Sequence, residues 1–141
     1  MTRYACLMLL VLFVSGCASQ WYVGEWEVTG ARFPGISAMG VDEAEAWFGA
    51  RAFYAEERVA FRGTTCGAPA FRVESVDEDA FRSLYRASFA ALELEGDAVE
   101  VLRVGCPSEW ASPAAMLIKV DGGSGYLVWD GVFFEVDRVS P

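Results

Sequence analysis

Residues 126–136, with the sequence YLVWDGVFFEV, decide the fold class of this chain. Two apolar runs rich in β-branched and aromatic residues flank the dipeptide Asp130-Gly131. Asp-Gly between such runs favours a type I′ turn, because both central residues of that turn need positive φ angles. The segment therefore predicts an antiparallel hairpin with strands over 126–129 and 132–136.

Short strands are also predicted along the rest of the chain. Alternation from Gly24 onward places Trp26 and Val28 on one face of a first strand within 21–29. Further strands are predicted over 51–54, 58–62, 71–76, 98–104 and 116–120, and loops over 30–40, 63–69 and 121–125. About eight short strands predict a mainly β fold, either a small antiparallel barrel or a sandwich.

Two short helices interrupt this pattern. Asp42 followed by Glu45 is typical of a helix start, and Gly49 of its end. The acidic run 77–79 suits the N-terminus of a second helix near 79–85. The same run could bind calcium, but it lacks the spacing of a known calcium loop, which favours helix capping.

The charge of the chain restricts its partners. The 141 residues carry a net charge of −9, and 54% of them are hydrophobic. Of the 11 basic residues only Arg3 lies in the N-terminal apolar segment, so the remainder has ten basic and twenty acidic side chains and a charge of −10. Such a surface disfavours nucleic acid as a partner.

The first residues read as a secretory leader. A short start carrying Arg3 precedes an apolar run over 5–14, which is shorter than the ~20 residues that a transmembrane helix needs. The sequence Val14-Ser15-Gly16-Cys17 then resembles the lipobox of bacterial lipoproteins, with a branched apolar residue, two small residues and a cysteine. The alternative is ordinary secretion with a chance cysteine.

The lipobox resemblance implies a membrane anchor. In that family a leader, here 1–16, is removed, and acyl chains such as palmitate are attached at the cysteine, here Cys17. Several acyl chains anchor a protein stably. Ala18 implies sorting to the outer membrane, facing the periplasm. We expect 17–20 to be a tether and 21–141 to form a single domain.

The remaining cysteines, Cys66 and Cys106, are predicted to form a disulfide. Cys6 belongs to the leader and Cys17 to the lipid anchor, and an exported protein folds in an oxidising compartment. Closing a loop of this size stabilises a fold by about 4 kcal/mol. Two independent thiols are the alternative, but the chain has no histidine to activate them.

The triplet Gly24-Glu25-Trp26 resembles the G-x-W signature at the start of lipocalin-like barrels. In that family the tryptophan closes one end of the barrel and packs against an arginine near the C-terminus. The resemblance implies that Arg138 stacks on Trp26 in a cation–π contact. It covers only the two ends of the domain, and Trp26 could equally be an ordinary core residue of another β fold.

Two functions from different classes remain. The first is a tethered binding domain that holds an apolar ligand among aromatic residues, and the alternative is that these residues fill the barrel. The ligand-binding candidates are Trp26, Tyr54, Phe61, Phe71 and Phe134. The second is a protein-interaction module of the envelope, for example an inhibitor of a cationic enzyme such as a lysozyme.

Catalysis and cofactors are not expected. The absence of histidine removes the common hydrolase constellations and zinc sites. Paired carboxylates alone carry little weight among twenty acids. The sequence therefore predicts a non-catalytic protein without metal or cofactor.

Overall fold

The computed structural model describes residues 19–140, which form one nine-stranded antiparallel sheet. The sheet curls into a half-barrel, so the predicted mainly β antiparallel fold is confirmed, as a barrel-like sheet and not as a sandwich. The strands are β1 (Gly24–Arg32), β2 (Arg51–Ala55), β3 (Arg58–Phe61), β4 (Thr64–Gly67), β5 (Ala70–Asp77), β6 (Ala98–Gly105), β7 (Met116–Lys119), β8 (Ser124–Trp129) and β9 (Val132–Arg138). Their order in the sheet is β4-β3-β2-β1-β9-β8-β7-β6-β5.

The predicted β8–β9 hairpin is confirmed in register and turn. Trp129 pairs with Val132 across the turn. Asp130 and Gly131 have φ angles of 49° and 82°, as a type I′ turn requires. The backbone of Ile36 lies against Gly131 so closely that a Cβ at Gly131 would collide with it, so glycine is needed here for space as well as conformation.

The predicted loop over 63–69 was wrong in part, because it contains β4. This strand forms one edge of the sheet and has only one buried side chain, that of Cys66. Its sequence is short and polar, so it lacks the apolar alternation by which strands are found. The turn before it uses Arg62 and Gly63, both with positive φ angles.

The first strand is longer than predicted. It continues to Arg32 through a bulge between Val28 and Gly30, so the predicted loop over 30–40 begins later. Gly30 lies directly under the Glu135 carboxylate of β9. A glycine in a strand often marks a bulge or such a close approach, so Gly30 did not mark the start of a loop.

Both predicted helices are present, but the first starts differently and ends at Glu45, before a turn over 46–49, and not at Gly49. Helix α1 spans Val41–Glu45 and begins after Gly40, whose N–H donates to the Glu43 carboxylate at 3.4 Å, so the assignment of Asp42 and Glu45 to the cap was wrong. Helix α2 spans Glu78–Tyr85. The Asp77 carboxylate caps it by accepting from the backbone N–H of Ala80 at 2.9 Å. Two single 3₁₀ turns cover Ala90–Leu92 and Pro113–Ala115.

The sheet is buried on both faces over its β6–β9 half. The concave face carries one core cluster that includes Trp26, Leu127 and Phe134. The convex face carries a second cluster in which α2 and the 3₁₀ turn at 90–92 cover strand residues such as Phe133. Burial on both faces explains the nearly continuous apolar runs in these strands.

The two outer strands, β4 and β5, are not paired with each other. A disulfide between Cys66 of β4 and Cys106, just after β6, joins the two sides of this seam, with 5.7 Å between the Cα atoms. The predicted cysteine pair is therefore present. Within 19–140 no helix has the length and apolar character needed to cross a bilayer.

Candidate functional site

The five aromatic residues predicted to bind a ligand lie together in the concave core. Four of them are almost completely buried, and the fifth, Phe71, packs against the edge of the same cluster. Tyr54 donates from its hydroxyl to the carbonyl of Ala114 at 3.0 Å, and burial raises the pKa of this phenol far above its ordinary value. These side chains therefore fill the interior of the half-barrel, which is the alternative that the sequence left open.

One further segment fills the concave side along the seam. Residues 106–115 run from the disulfide across the open side of the sheet, and Trp110 and Ala114 pack into the concave core. The turn at Pro113–Ala115 contacts β3, β6 and β8. No element was predicted for this stretch, because its proline, serine and alanine residues show no periodicity.

The end of the sheet where β1 begins and β9 ends, here called the proximal end, is closed by Trp26 and Arg138. The guanidinium carbon of Arg138 lies 4.4 Å from the centre of the Trp26 ring, and the two residues pair across β1 and β9. The predicted contact is thus present. Arg138 also donates to the carbonyl of Val23 at 2.6 Å and to that of Trp21.

The proximal end also holds the start of the described chain. Trp26 donates from Nε1 to the carbonyl of Tyr22 at 2.9 Å. The rings of Trp21 and Trp26 meet edge to face with 6.4 Å between their centroids. The segment that leads towards Cys17 therefore leaves the domain from this end, while Cys17 itself lies outside the described residues.

The opposite end, here called the distal end, carries α1 and the β8–β9 turn. Trp47, which follows α1, stacks on Phe134 with 4.6 Å between the ring centroids and contacts Phe61 at 5.7 Å. The guanidinium carbon of Arg62 lies 4.6 Å from the centre of the Trp47 ring. Trp47 thus closes the core at this end. It was not among the predicted site residues, since one tryptophan near a short helix has no distinguishing spacing.

A pocket opens beside Trp47 at the distal end. Its volume is about 200 Å³, and its walls include Phe61, Pro113 and Trp129, with Arg62 at the rim. Large apolar side chains that are exposed lie nearby in the chain at Ile36, Val41 and Phe48. The distal end therefore combines an apolar pocket with exposed apolar side chains.

A second groove, of about 290 Å³, lies on the convex face beside Arg32. Arg32 donates to the carboxylates of Glu135 at 2.7 Å and Glu93 at 2.6 Å, and these hydrogen bonds raise its pKa further. Asp137 in turn accepts from the Thr29 hydroxyl at 3.0 Å. The ion pair between Arg32 and Glu93 therefore ties the 90–93 segment to the sheet beside this groove.

The acidic run 77–79 has a structural role at the start of α2. Asp77 caps the helix, and Glu78 pairs with Arg82 one turn later at 3.1 Å. Among residues 19–140 no group of side chains is arranged to hold a metal ion. Helix capping, which the sequence favours over a calcium site, accounts for these contacts.

No protein-family model, curated protein or solved structure matches the chain. Membership of the lipocalin or bacterial lipoprotein families therefore stays a prediction from the motifs at Gly24-Glu25-Trp26 and Val14–Cys17.

Proposed function

We propose that this protein is a lipid-anchored component of the bacterial envelope whose domain binds another protein and performs no catalysis. The lipobox ending at Cys17 supports the anchor, and the leader before it supports export. The filled concave core is the observation that favours a protein partner over a small apolar ligand.

The surface charge favours a basic partner. Beyond the leader the chain has twice as many acidic as basic side chains. Several of the basic ones, including Arg32, Arg51 and Arg103, already pair with carboxylates of the same domain. The resulting negative field accelerates association with a cationic protein and opposes association with acidic ones.

The anchor is tested by metabolic labelling with palmitate in a Gram-negative host. The wild-type chain is expected to incorporate label and to fractionate with the outer membrane, while Cys17→Ser incorporates none. Cys66→Ser is the matched control, because it removes a cysteine that lies outside the lipobox. Label that persists in Cys17→Ser would refute the proposed anchor.

The binding role is tested with lysozyme as a defined basic protein. The mature lipoprotein, held in nonionic micelles, is expected to bind lysozyme at low salt in calorimetry, with an affinity that falls as salt screens the charges. Inhibition of lysozyme would indicate the inhibitor role in particular. If neither lysozyme nor other basic envelope proteins bind, the proposed interaction role fails.

A further inference from the structure

The distal end combines exposed apolar side chains with unpaired negative charge. Ile36 is 100% exposed, Val41 57% and Phe48 44%. Three of the seven large exposed hydrophobic residues within 19–140 therefore lie in one segment, residues 33–50. Isolated apolar residues on a surface are common, but a group of them beside an apolar pocket is typical of an interaction site.

The segment that carries these residues is held firmly to the sheet. The backbone N–H of Ala38 donates to the carbonyl of Asp130 at 2.8 Å, and Gly49 and Ala50 exchange 2.8 Å hydrogen bonds with Val28 of β1. Met39 and Ala44 are buried in the concave core. The exposed side chains therefore project from a fixed backbone, which lowers the entropy lost on binding.

The charge carried by the 33–50 segment itself has one sign. From 33 to 50 the chain has no basic residue, and it has three acidic ones, Asp42, Glu43 and Glu45. Asp130 of the neighbouring turn adds a fourth. None of the four forms an ion pair with another side chain of the described part. Basic residues adjoin the segment: Arg62 is stacked on Trp47 at the pocket rim, and the backbone of the exposed Arg86 lies next to Gly35.

The position of this end relative to the tether restricts what can cover it. The chain leaves towards Cys17 from the proximal end, and β9 alone separates the two ends by about 20 Å. An anionic lipid surface would be repelled by the acidic residues, and so would a second copy of the same face. The geometry and charge together favour a basic protein segment.

We infer that the distal end, defined by Ile36, Val41, Phe48 and the pocket beside Trp47, docks a basic amphipathic segment of a partner protein. An apolar side chain of the partner enters the pocket, and its lysines or arginines face Asp42, Glu43, Glu45 and Asp130. This inference rests on the proposed interaction role and assigns it to one surface.

The test uses two synthetic helical peptides of equal length with leucines on one face, one with lysines and one with glutamates on the other face. The mature lipoprotein in nonionic micelles is mixed with each peptide. Binding is measured by fluorescence anisotropy, and the bound surface by hydrogen–deuterium exchange with mass spectrometry. The lysine peptide is expected to bind and to slow exchange in 33–50 and 129–131, and the glutamate peptide is expected not to bind.

Two variants separate this surface from the rest of the molecule. Val41→Ser combined with Phe48→Ser is expected to weaken binding of the lysine peptide about tenfold or more, because central apolar anchors carry most of the binding energy. Leu84→Ser on α2 is the matched control, since Leu84 is also 57% exposed but lies on another face. It is expected to leave the affinity unchanged.

Other outcomes would overturn the inference. Slower exchange around 77–79 and 97, with no effect of the distal substitutions, would leave the interaction role standing but place it elsewhere. If the lysine peptide does not bind but lysozyme does, the interaction role would likewise stand but lie on another surface. If neither the peptide nor lysozyme binds, the proposed function fails as well. Binding of vesicles of phosphatidylglycerol and phosphatidylcholine through Phe48, or self-association through it, would replace the basic partner by lipid or a second copy.

Discussion

The two ends of the half-barrel are each closed by a tryptophan, but they are built differently. At the proximal end Trp26 is completely buried, donates to a backbone carbonyl and is covered by Arg138. At the distal end Trp47 is partly exposed and is held mainly by stacking on Phe134. Three exposed apolar residues, Ile36, Val41 and Phe48, lie in the segment around Trp47, whereas Val23 is the one that lies close to Trp26 along the described chain.

This difference between the two ends suggests that one tryptophan, Trp26, has a structural role and that the other, Trp47, belongs to a functional surface. Arg138 donates hydrogen bonds to several backbone carbonyls, and these bonds fix the chain near the tether. The carboxylates beside Trp47 form no ion pairs within the described residues, and Glu43 alone of them accepts a backbone hydrogen bond, from Gly40. We therefore expect changes at the proximal end to alter stability and changes at the distal end to alter binding.

The largest effect on stability is expected from Trp26→Ala. Removing a fully buried tryptophan is expected to lower the free energy of unfolding by about 3–5 kcal/mol, because of lost burial and the cavity left behind. Trp47→Ala, its counterpart at the distal end, is expected to cost about 1–2 kcal/mol because its ring is partly exposed. Urea unfolding followed by far-ultraviolet circular dichroism measures both, and equal losses would contradict the difference between the ends.

Loss of the disulfide across the seam is expected to have the next largest effect. Cys66 and Cys106 are 40 residues apart, and opening the loop is expected to cost about 3–4 kcal/mol through the entropy of the unfolded chain. The variant Cys66→Ala with Cys106→Ala is compared with the wild type by urea unfolding. A reducing agent should destabilise the wild type alone, and an equal effect on the variant would show that the bond is not formed.

Arg138→Met is expected to lower the free energy of unfolding by about 2 kcal/mol. Methionine keeps part of the apolar stem but loses the cation–π contact and the hydrogen bonds to the carbonyls of Trp21 and Val23. Arg138→Lys is expected to recover only part of this loss, since lysine lacks the planar fork. Full recovery with lysine would mean that charge alone matters there.

The smallest effect is expected at Asp121, in the turn between β7 and β8. Hydrogen bonds from the backbone N–H of Gly123 and from Ser124 hold the pKa of this carboxyl below its ordinary value. The stabilisation is therefore complete above the ordinary pKa and is lost as the pH falls through the lowered one.

This dependence is measured as the melting temperature between about pH 2 and pH 7. Asp121→Asn is expected to reduce the fall at acidic pH, with Asp130→Asn at the distal turn as the matched control. If both variants follow the wild-type curve, the Asp121 turn makes no contribution to acid sensitivity.

The sequence predicted the elements whose signals are local. The Asp130-Gly131 turn, the acidic cap of α2 and the alternation around Trp26 each depend on a few neighbouring residues. The contact between Trp26 and Arg138, which are far apart in the sequence, could be predicted only because a family resemblance pointed to it.

Other features depend on contacts that no local pattern reveals. Strand β4 has one buried residue and owes its place to pairing with β3. The filling of the concave core by 106–115, and the position of Trp47 over Phe134, follow from how the sheet curls. The distal surface therefore could not be predicted, because its apolar residues read as ordinary helix and loop positions.

Whether the half-barrel is filled and the protein acts through its surface is tested most directly by native mass spectrometry of the lipoprotein purified without denaturation. We expect the mass of the acylated chain, lower by the hydrogens lost on disulfide formation, with nothing else bound. An additional small-molecule mass that disappears on denaturation would contradict it and return the aromatic residues around Trp26 and Tyr54 to the role of a ligand site.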